Sequence, residues 1–166
     1  QDGRNHRRRN RALMFRPSSM GLALEEARKA SSLGEVPVGA VIVTSQGDLV
    51  SSAHNLVETT QDGTAHAELL AIREACQKLG TKWLSDCDLY VTLEPCAQCA
   101  GAIANVRLRR LFFGAFDPKS GGVDHGAAVF SHDNCHHSIE VFGGIDERAC
   151  SDLLKAFFQG KRDGQK

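Results

Sequence analysis

Two short segments, His66-Ala67-Glu68 and Pro95-Cys96-Ala97-Gln98-Cys99, constrain this chain more than anything else in it. One imidazole and two thiolates make a three-ligand set for zinc. A catalytic zinc keeps its fourth position open for water, whereas a structural zinc normally closes it with another protein ligand. No obvious fourth ligand accompanies this pattern. Instead there is Glu68, two residues from the histidine, a carboxylate well placed to handle protons. Metal coordination lowers the pKa of water toward neutrality, so that a neighbouring carboxylate takes its proton. The pattern points to hydrolytic chemistry, and any fold the chain adopts has to bring the two segments to one point.

The spacing has local consequences. Cys96 and Cys99, three apart, are neighbours on one face of a helix, and Pro95 suits a first turn, where its missing N–H costs nothing. At a helix start, free N–H groups and the positive dipole end favour thiolate over thiol. His66 and Glu68, two apart, diverge on a regular helix. They face one ion only at the very start of a helix, before the chain is regular. Ala65 to Ile72 opens a helical pattern after the Gly63-Thr64 break, which meets that requirement. Alone, a Cys-x-x-Cys is equally a redox pair or half of a structural zinc clip. The two motifs together, each at a predicted helix start after a predicted strand, favour the catalytic reading.

A length of 166 residues suits one domain with a real core. Hydrophobic residues make up 42% of it, too many for a disordered chain. The longest apolar runs, such as Gly39 to Val43, are far too short to cross a membrane. Six cysteines without a disulfide-scaffold composition suit a reducing compartment, and Cys76, Cys87 and Cys150 read as ordinary buried thiols. Charge is balanced in total but uneven along the chain. Arg4, Arg7, Arg8, Arg9, Arg11 and Arg16 crowd the first 20 residues beside a single acid, Asp2, and the remainder holds 14 basic and 19 acidic residues. A body with a net charge of about −5 lacks the basic footprint of a general nucleic-acid binder. Residues 1–19 read as a disordered Arg-rich arm, weakly similar to an organellar presequence, and residues 20–166 as a single domain.

Along that domain the pattern predicts a helix over 20–33, stopped by Gly34, then a strand over 38–44 whose hairpin partner spans 49–53. A helix over 65–79, a strand over 89–93, a helix over 96–105 and a strand over 110–113 follow. After a Gly-rich loop over 117–126 come a short strand over 139–142 and a last helix over 146–162. Strands alternating with helices, opened by a hairpin, predict an α/β three-layer αβα sandwich around a mixed five-stranded sheet.

From about Met20 to Arg162 the chain resembles the bacterial tRNA-specific adenosine deaminases of the cytidine-deaminase-like superfamily. The likeness is carried by Glu35-Val36-Pro37-Val38-Gly39-Ala40-Val41, Thr64-Ala65-His66-Ala67-Glu68, Tyr90-Val91-Thr92-Leu93-Glu94-Pro95-Cys96, Phe113-Gly114-Ala115-Phe116-Asp117-Pro118-Lys119, and Phe157-Phe158 with Lys161-Arg162. The H-x-E…P-C-x-x-C signature is that of zinc deaminases at large. It fixes the chemistry and leaves the substrate open, although the histidine speaks against cytidine deaminases that ligate with cysteine there. The 117–119 loop and the Phe-Phe helix tilt the reading to the tRNA enzymes.

The resemblance implies one Zn2+ per subunit held by His66, Cys96 and Cys99, with Glu68 as proton shuttle. It implies conversion of adenosine to inosine at the wobble position of a tRNA anticodon, in a cytoplasmic homodimer that grips the anticodon stem-loop. Asn55 and the backbone N–H of Ala67 are expected to bind the base. Asp117 and Lys119 match anticodon-contacting positions, though Asp-Pro-Lys reads equally well as a plain turn. His137 matches a position near the RNA, and the His132 to His137 run is a poor second metal cluster because its adjacent histidines cannot share a tetrahedral ion. Phe157 and Phe158 are core residues or, for Phe157, a base-stacking ring with Lys161 and Arg162 on phosphates. The rival reading is a deaminase of a free nucleobase or nucleoside, of guanine or cytosine type, which the acidic body favours. A non-catalytic zinc scaffold has no use for Glu68.

Overall fold

An uninterrupted apolar run forms a strand only where both of its faces are covered, and Gly39–Thr44 is such a run. In the structure, a computed structural model that describes residues 18–165, this segment is β1 and its first five residues are buried. Its alternate residues serve opposite cores. Ala40 and Ile42 face one apolar cluster and Val41 the other, as the two-residue period of a strand requires.

β1 sits second in a five-stranded sheet of order β2-β1-β3-β4-β5, with β2 at Leu49–His54, β3 at Cys87–Leu93, β4 at Arg110–Ala115 and β5 at Glu140–Phe142. The β1–β2 and β1–β3 pairs are antiparallel, and β3–β4 and β4–β5 are parallel. Helix α1 (Ser19–Ser32) and the last helix, α5 (Glu147–Asp163), cover one face through Met20, Ala23, Leu24 and Cys150. Helices α3 (Ala67–Leu79) and α4 (Ala97–Asn105) cover the other through Ala71, Ile72, Ala75, Ala100 and Ile103. The expected three-layer sandwich with a mixed five-stranded sheet is therefore observed. Ser18 caps α1 through a side-chain hydrogen bond from Gly21 N–H at 2.9 Å. At Gly39 the α1 backbone comes so close that a Cβ would lie 1.9 Å from the Ala23 carbonyl oxygen. Only glycine allows that helix to lie on that strand.

Three details differ from expectation. The short helix α2 (Val57–Thr60) was not foreseen, because four residues show no periodicity. β3 begins at Cys87 and β4 runs on to Ala115, further than their apolar runs suggested. Cys87 and Cys150 are buried, whereas Cys76 is only half-buried. The arginines of the N-terminal arm lie outside the described residues.

Candidate active site

The expectation that His66 stands at an irregular helix start is met, and Cys96 shares the arrangement. His66 is the N-cap of α3, with extended backbone (φ −79°, ψ 148°), and Cys96 is the N-cap of α4 (φ −71°, ψ 175°). Pro95 therefore precedes the cap and does not occupy the first turn. Cys99 lies within the first turn of α4 and is buried. His66 Nδ1 lies 3.5 Å from Cys96 Sγ and 3.5 Å from Cys99 Sγ. Zn–N and Zn–S bonds of about 2.0 and 2.3 Å at a tetrahedral angle put N and S about 3.5 Å apart, so the spacing fits zinc. Among the described residues, these are the one set of three or more His, Cys, Asp or Glu side chains whose donor atoms all come within 4.8 Å of one another.

The electrostatics of the donors point the same way. The neighbouring Cys99 thiol and His66 hold the Cys96 thiolate, lowering its pKa to about 4. Cys99, bonded to that thiolate and buried, is pushed up instead. Two such sulfurs become thiolates together only when a cation stands between them. The Cys96 sulfur raises the His66 pKa against the desolvation that opposes it, and the Gly63 backbone acts in the same direction as the sulfur.

Glu68, in the first turn of α3, is 4% exposed and lines the same cavity as His66 and Cys96. Burial raises its carboxyl pKa above the ordinary glutamate range, which suits a group that must both take and give a proton near neutrality. The cavity holds about 300 Å³ and is walled by Val38, Asn55, Leu93, Asp117 and Ser120 besides the two ligands and Glu68. Through Asp117, Ser120 and Leu93 it continues into a groove of about 660 Å³ lined by Phe116, Lys119, Phe158, Lys161 and Arg162.

The remaining expected site residues divide. Asn55 and Asp117 stand in the cavity wall and Lys119 in the groove beside it. The Ala67 N–H, expected to meet the base, is donated to Asn55 Oδ1 at 2.8 Å, and an N–H has one proton to give. What Asn55 keeps for a ligand is its NH2 group. His137 is set apart from the cavity: it lines a separate cleft with Asn105, Arg107 and His136, and its Nε2 lies 2.6 Å from the Leu108 carbonyl oxygen. Phe157 is not among the side chains that line the groove. Its ring packs edge-on against Phe158, beneath Lys161 Nζ at 5.0 Å, and Phe158, 44% exposed, is the ring that faces the groove. His132 Nε2 reaches the Ala127 carbonyl at 2.6 Å, so His132 and His137 are each tied to backbone and not to each other.

Two buried carboxylates of the cavity lining went unnoticed in the sequence. Glu35, 1% exposed, accepts from the N–H groups of Glu58 (3.0 Å) and Thr59 (2.7 Å) and from the Thr59 hydroxyl (2.6 Å), holding α2 against the cavity. Burial opposes its ionisation, but these donors outweigh it and keep its carboxyl below the ordinary value. Glu94, 2% exposed, gathers donors from the loop after β4. In both cases the only local signal was an acid beside apolar residues and a nearby proline.

Comparison with known proteins now bears on this geometry. The family model described as the cytidine and deoxycytidylate deaminase zinc-binding region matches residues 16–115. A tRNA-specific adenosine deaminase of Agrobacterium fabrum is 48% identical over 143 residues, 86% of this chain and 93% of its own length. One from Bacillus subtilis is 46% identical over 144 residues, 87% and 89% of the two chains. The chain belongs to the tRNA-specific adenosine deaminase family. A solved structure from a study of A-to-I editing by tRNA deaminases at the wobble position superposes with a TM-score of 0.80 at 47% identity, covering 82% of this chain and 98% of that one. A guanine deaminase from Nitrosomonas europaea superposes at 0.71 with 26% identity, covering 84% and 82%. The shared fold spans both substrate types, while identity falls by nearly half from one to the other. As a deaminase of this family the chain is a zinc protein, and the His66, Cys96 and Cys99 donor set fits that metal.

Proposed function

We propose that this chain hydrolyses adenosine to inosine at the wobble position of a tRNA anticodon, with zinc held by His66, Cys96 and Cys99. The observation that carries the reading is the buried Glu68 carboxyl beside that donor set in one cavity, in a chain of this family.

Zinc, when bound, acts as a Lewis acid that makes water a competent nucleophile near neutral pH. Glu68 takes a proton from the attacking water and delivers it to the adenine ring as the new C–O bond forms at C6. The carboxylate then takes the remaining proton from the hydroxyl now on C6 and passes it to the amine, so that the C–N bond breaks, ammonia leaves and C6 becomes the inosine carbonyl. Val38 and Leu93 give the cavity an apolar wall for the ring, and the Asn55 NH2 offers it a donor. A base inside a folded loop reaches such a cavity only when turned out of its stack. The adjoining groove, with the Phe158 ring and the Lys119, Lys161 and Arg162 cations, suits the nucleotides that flank it.

The same reading makes the chain a cytoplasmic homodimer with the RNA across both subunits. Six free thiols suit a reducing compartment, and among the described residues no helix is long and apolar enough to cross a membrane. The dimer follows from the family likeness and is checked by sedimentation equilibrium.

Single-turnover conversion of an anticodon stem-loop with adenosine at the wobble position tests the function, with guanine, cytosine and cytidine assayed alongside. Inosine formed in the stem-loop alone is the expected result. Ammonia released from a free base alone would overturn the tRNA assignment and leave the zinc chemistry standing.

A further inference from the structure

We propose that Glu94 is the positioning residue of the substrate-facing loop. Its buried carboxylate fixes residues 117–125 to the start of α4, so that Asp117 and Ser120 stay in register with Cys96 and Glu68. The proposal rests on reading the cavity as the substrate site.

The Glu94 side chain is wholly inaccessible, and a buried carboxylate is costly unless donors surround it. Here nearly all of the donors come from one loop. Oε1 accepts from Asp117 N–H at 3.1 Å and lies 2.8 Å from His125 Nδ1. Oε2 accepts from the N–H groups of Val123 (3.3 Å), Asp124 (3.1 Å) and His125 (3.2 Å). Among the described residues no lysine or arginine pairs with it, and the His125 ring is its one side-chain hydrogen-bond partner. The loop is thus wound around the anion, first residue to last.

Backbone contacts tie this winding to the proposed metal ligands. Glu94 N–H donates to the Ala115 carbonyl at 2.8 Å, and Gly122 N–H donates to the Pro95 carbonyl at 2.8 Å. Cys96 is the next residue. Gly121 packs directly on the carboxylate, where a Cβ would stand 2.2 Å from Glu94 Oε2 and 2.5 Å from the Asp117 carbonyl oxygen. Asp117 and Ser120, which wall both cavity and groove, are carried by this loop. One side chain therefore sets the distance between the substrate wall and the helix start that bears two metal donors.

Glu94→Gln tests this, because the amide keeps one acceptor and turns an NH2 donor toward the loop N–H groups. Two readouts are needed. In the free protein, amide exchange at Asp117, Val123, Asp124 and His125 is expected to speed up at least about tenfold, while α4 amides such as Ala100 hold their protection. In catalysis KM is expected to rise roughly tenfold with kcat within about threefold and zinc content unchanged. Gly121→Ala displaces the loop while keeping Glu94, and should shift KM in the same direction; it decides the matter alone should Glu94→Gln not fold. Wild-type exchange at the four amides with an unchanged KM would overturn the proposal, as would a uniform loss of protection across the molecule. Should the wild type act on a free base and not on the stem-loop, KM is read on that base. The exchange result stands regardless, so a failed substrate assignment and a failed positioning role are told apart.

Discussion

The proton-shuttle role proposed for Glu68 rests on burial. At 4% exposure it holds a proton more tightly than a surface glutamate, yet it stands in the same cavity wall as His66 and Cys96. A group that shuttles protons contributes typically 10²–10⁴-fold to rate. Glu68→Gln is accordingly expected to lower single-turnover conversion by about 10²–10⁴-fold with full zinc content by mass spectrometry. Loss of zinc in that variant would make Glu68 a ligand and sink the shuttle role. Asn55 shows how one side chain serves two ends. Its carbonyl oxygen secures the first turn of α3 through Ala67 N–H, and its NH2 remains for a substrate.

At the scale of elements, the site is built from ends. His66 and Cys96 are N-caps, α2 is held by Glu35, and the loop after β4 is held by Glu94. Glu35 carries a pH signature. Its folded pKa lies below the reference value of 4.5, so its contribution is complete above pH 4.5 and is lost as pH falls through the folded value. Glu35→Gln should cost about 1–3 kcal/mol at neutral pH. In urea titrations the gap to wild type should narrow below pH 4.5, and a gap independent of pH would rule out the carboxylate as its source. How much of this was legible in the sequence divides along physical lines. The zinc donors, the strands around Val41 and Val91 and the N-terminal placement of His66 could be read, because short-range spacing and period encode them. The roles of Glu35 and Glu94 could not, since their hydrogen-bond partners lie 23 to 31 residues away. Which of Phe157 and Phe158 lines the groove was not legible for a similar reason. Adjacent helix residues differ by rotation alone, and only the position of the 116–120 loop decides which ring faces the groove.

For the whole molecule, core and metal site are separable. The two apolar clusters are assembled by the sheet and four helices, with Cys99 the only one of the three proposed ligands among the buried apolar side chains and none of the three in either cluster. Chelation should therefore abolish activity without unfolding the chain, unlike a zinc finger. Saturating metal is worth about 3–4 kcal/mol, so the apo melting temperature is expected roughly 5–15 °C lower and to recover with added Zn2+. A cooperative loss of far-UV circular dichroism on chelation would contradict this. Charge predicts a second property. Outside the arm the chain is acidic, and the groove offers Lys119, Lys161 and Arg162. Three phosphate contacts on single-stranded RNA give a log–log salt slope of about −2, measurable by fluorescence anisotropy of the stem-loop; a slope several times steeper would place the main RNA contact elsewhere.

Two helices begin at the same point, α3 at His66 and α4 at Cys96. Each helix start carries about half a positive charge, and a zinc ion with two thiolates is formally neutral. The fold thus turns two positive helix ends toward the donor set before any substrate arrives, with the Glu68 carboxyl as the acidic group beside them. Adenine is neutral, but oxygen attack at C6 would push an electron pair onto the neighbouring ring nitrogen until Glu68 supplies its proton. On the proposed mechanism the backbone itself, and not only Glu68, would favour the charge that develops during attack, and no single side-chain substitution would remove that contribution.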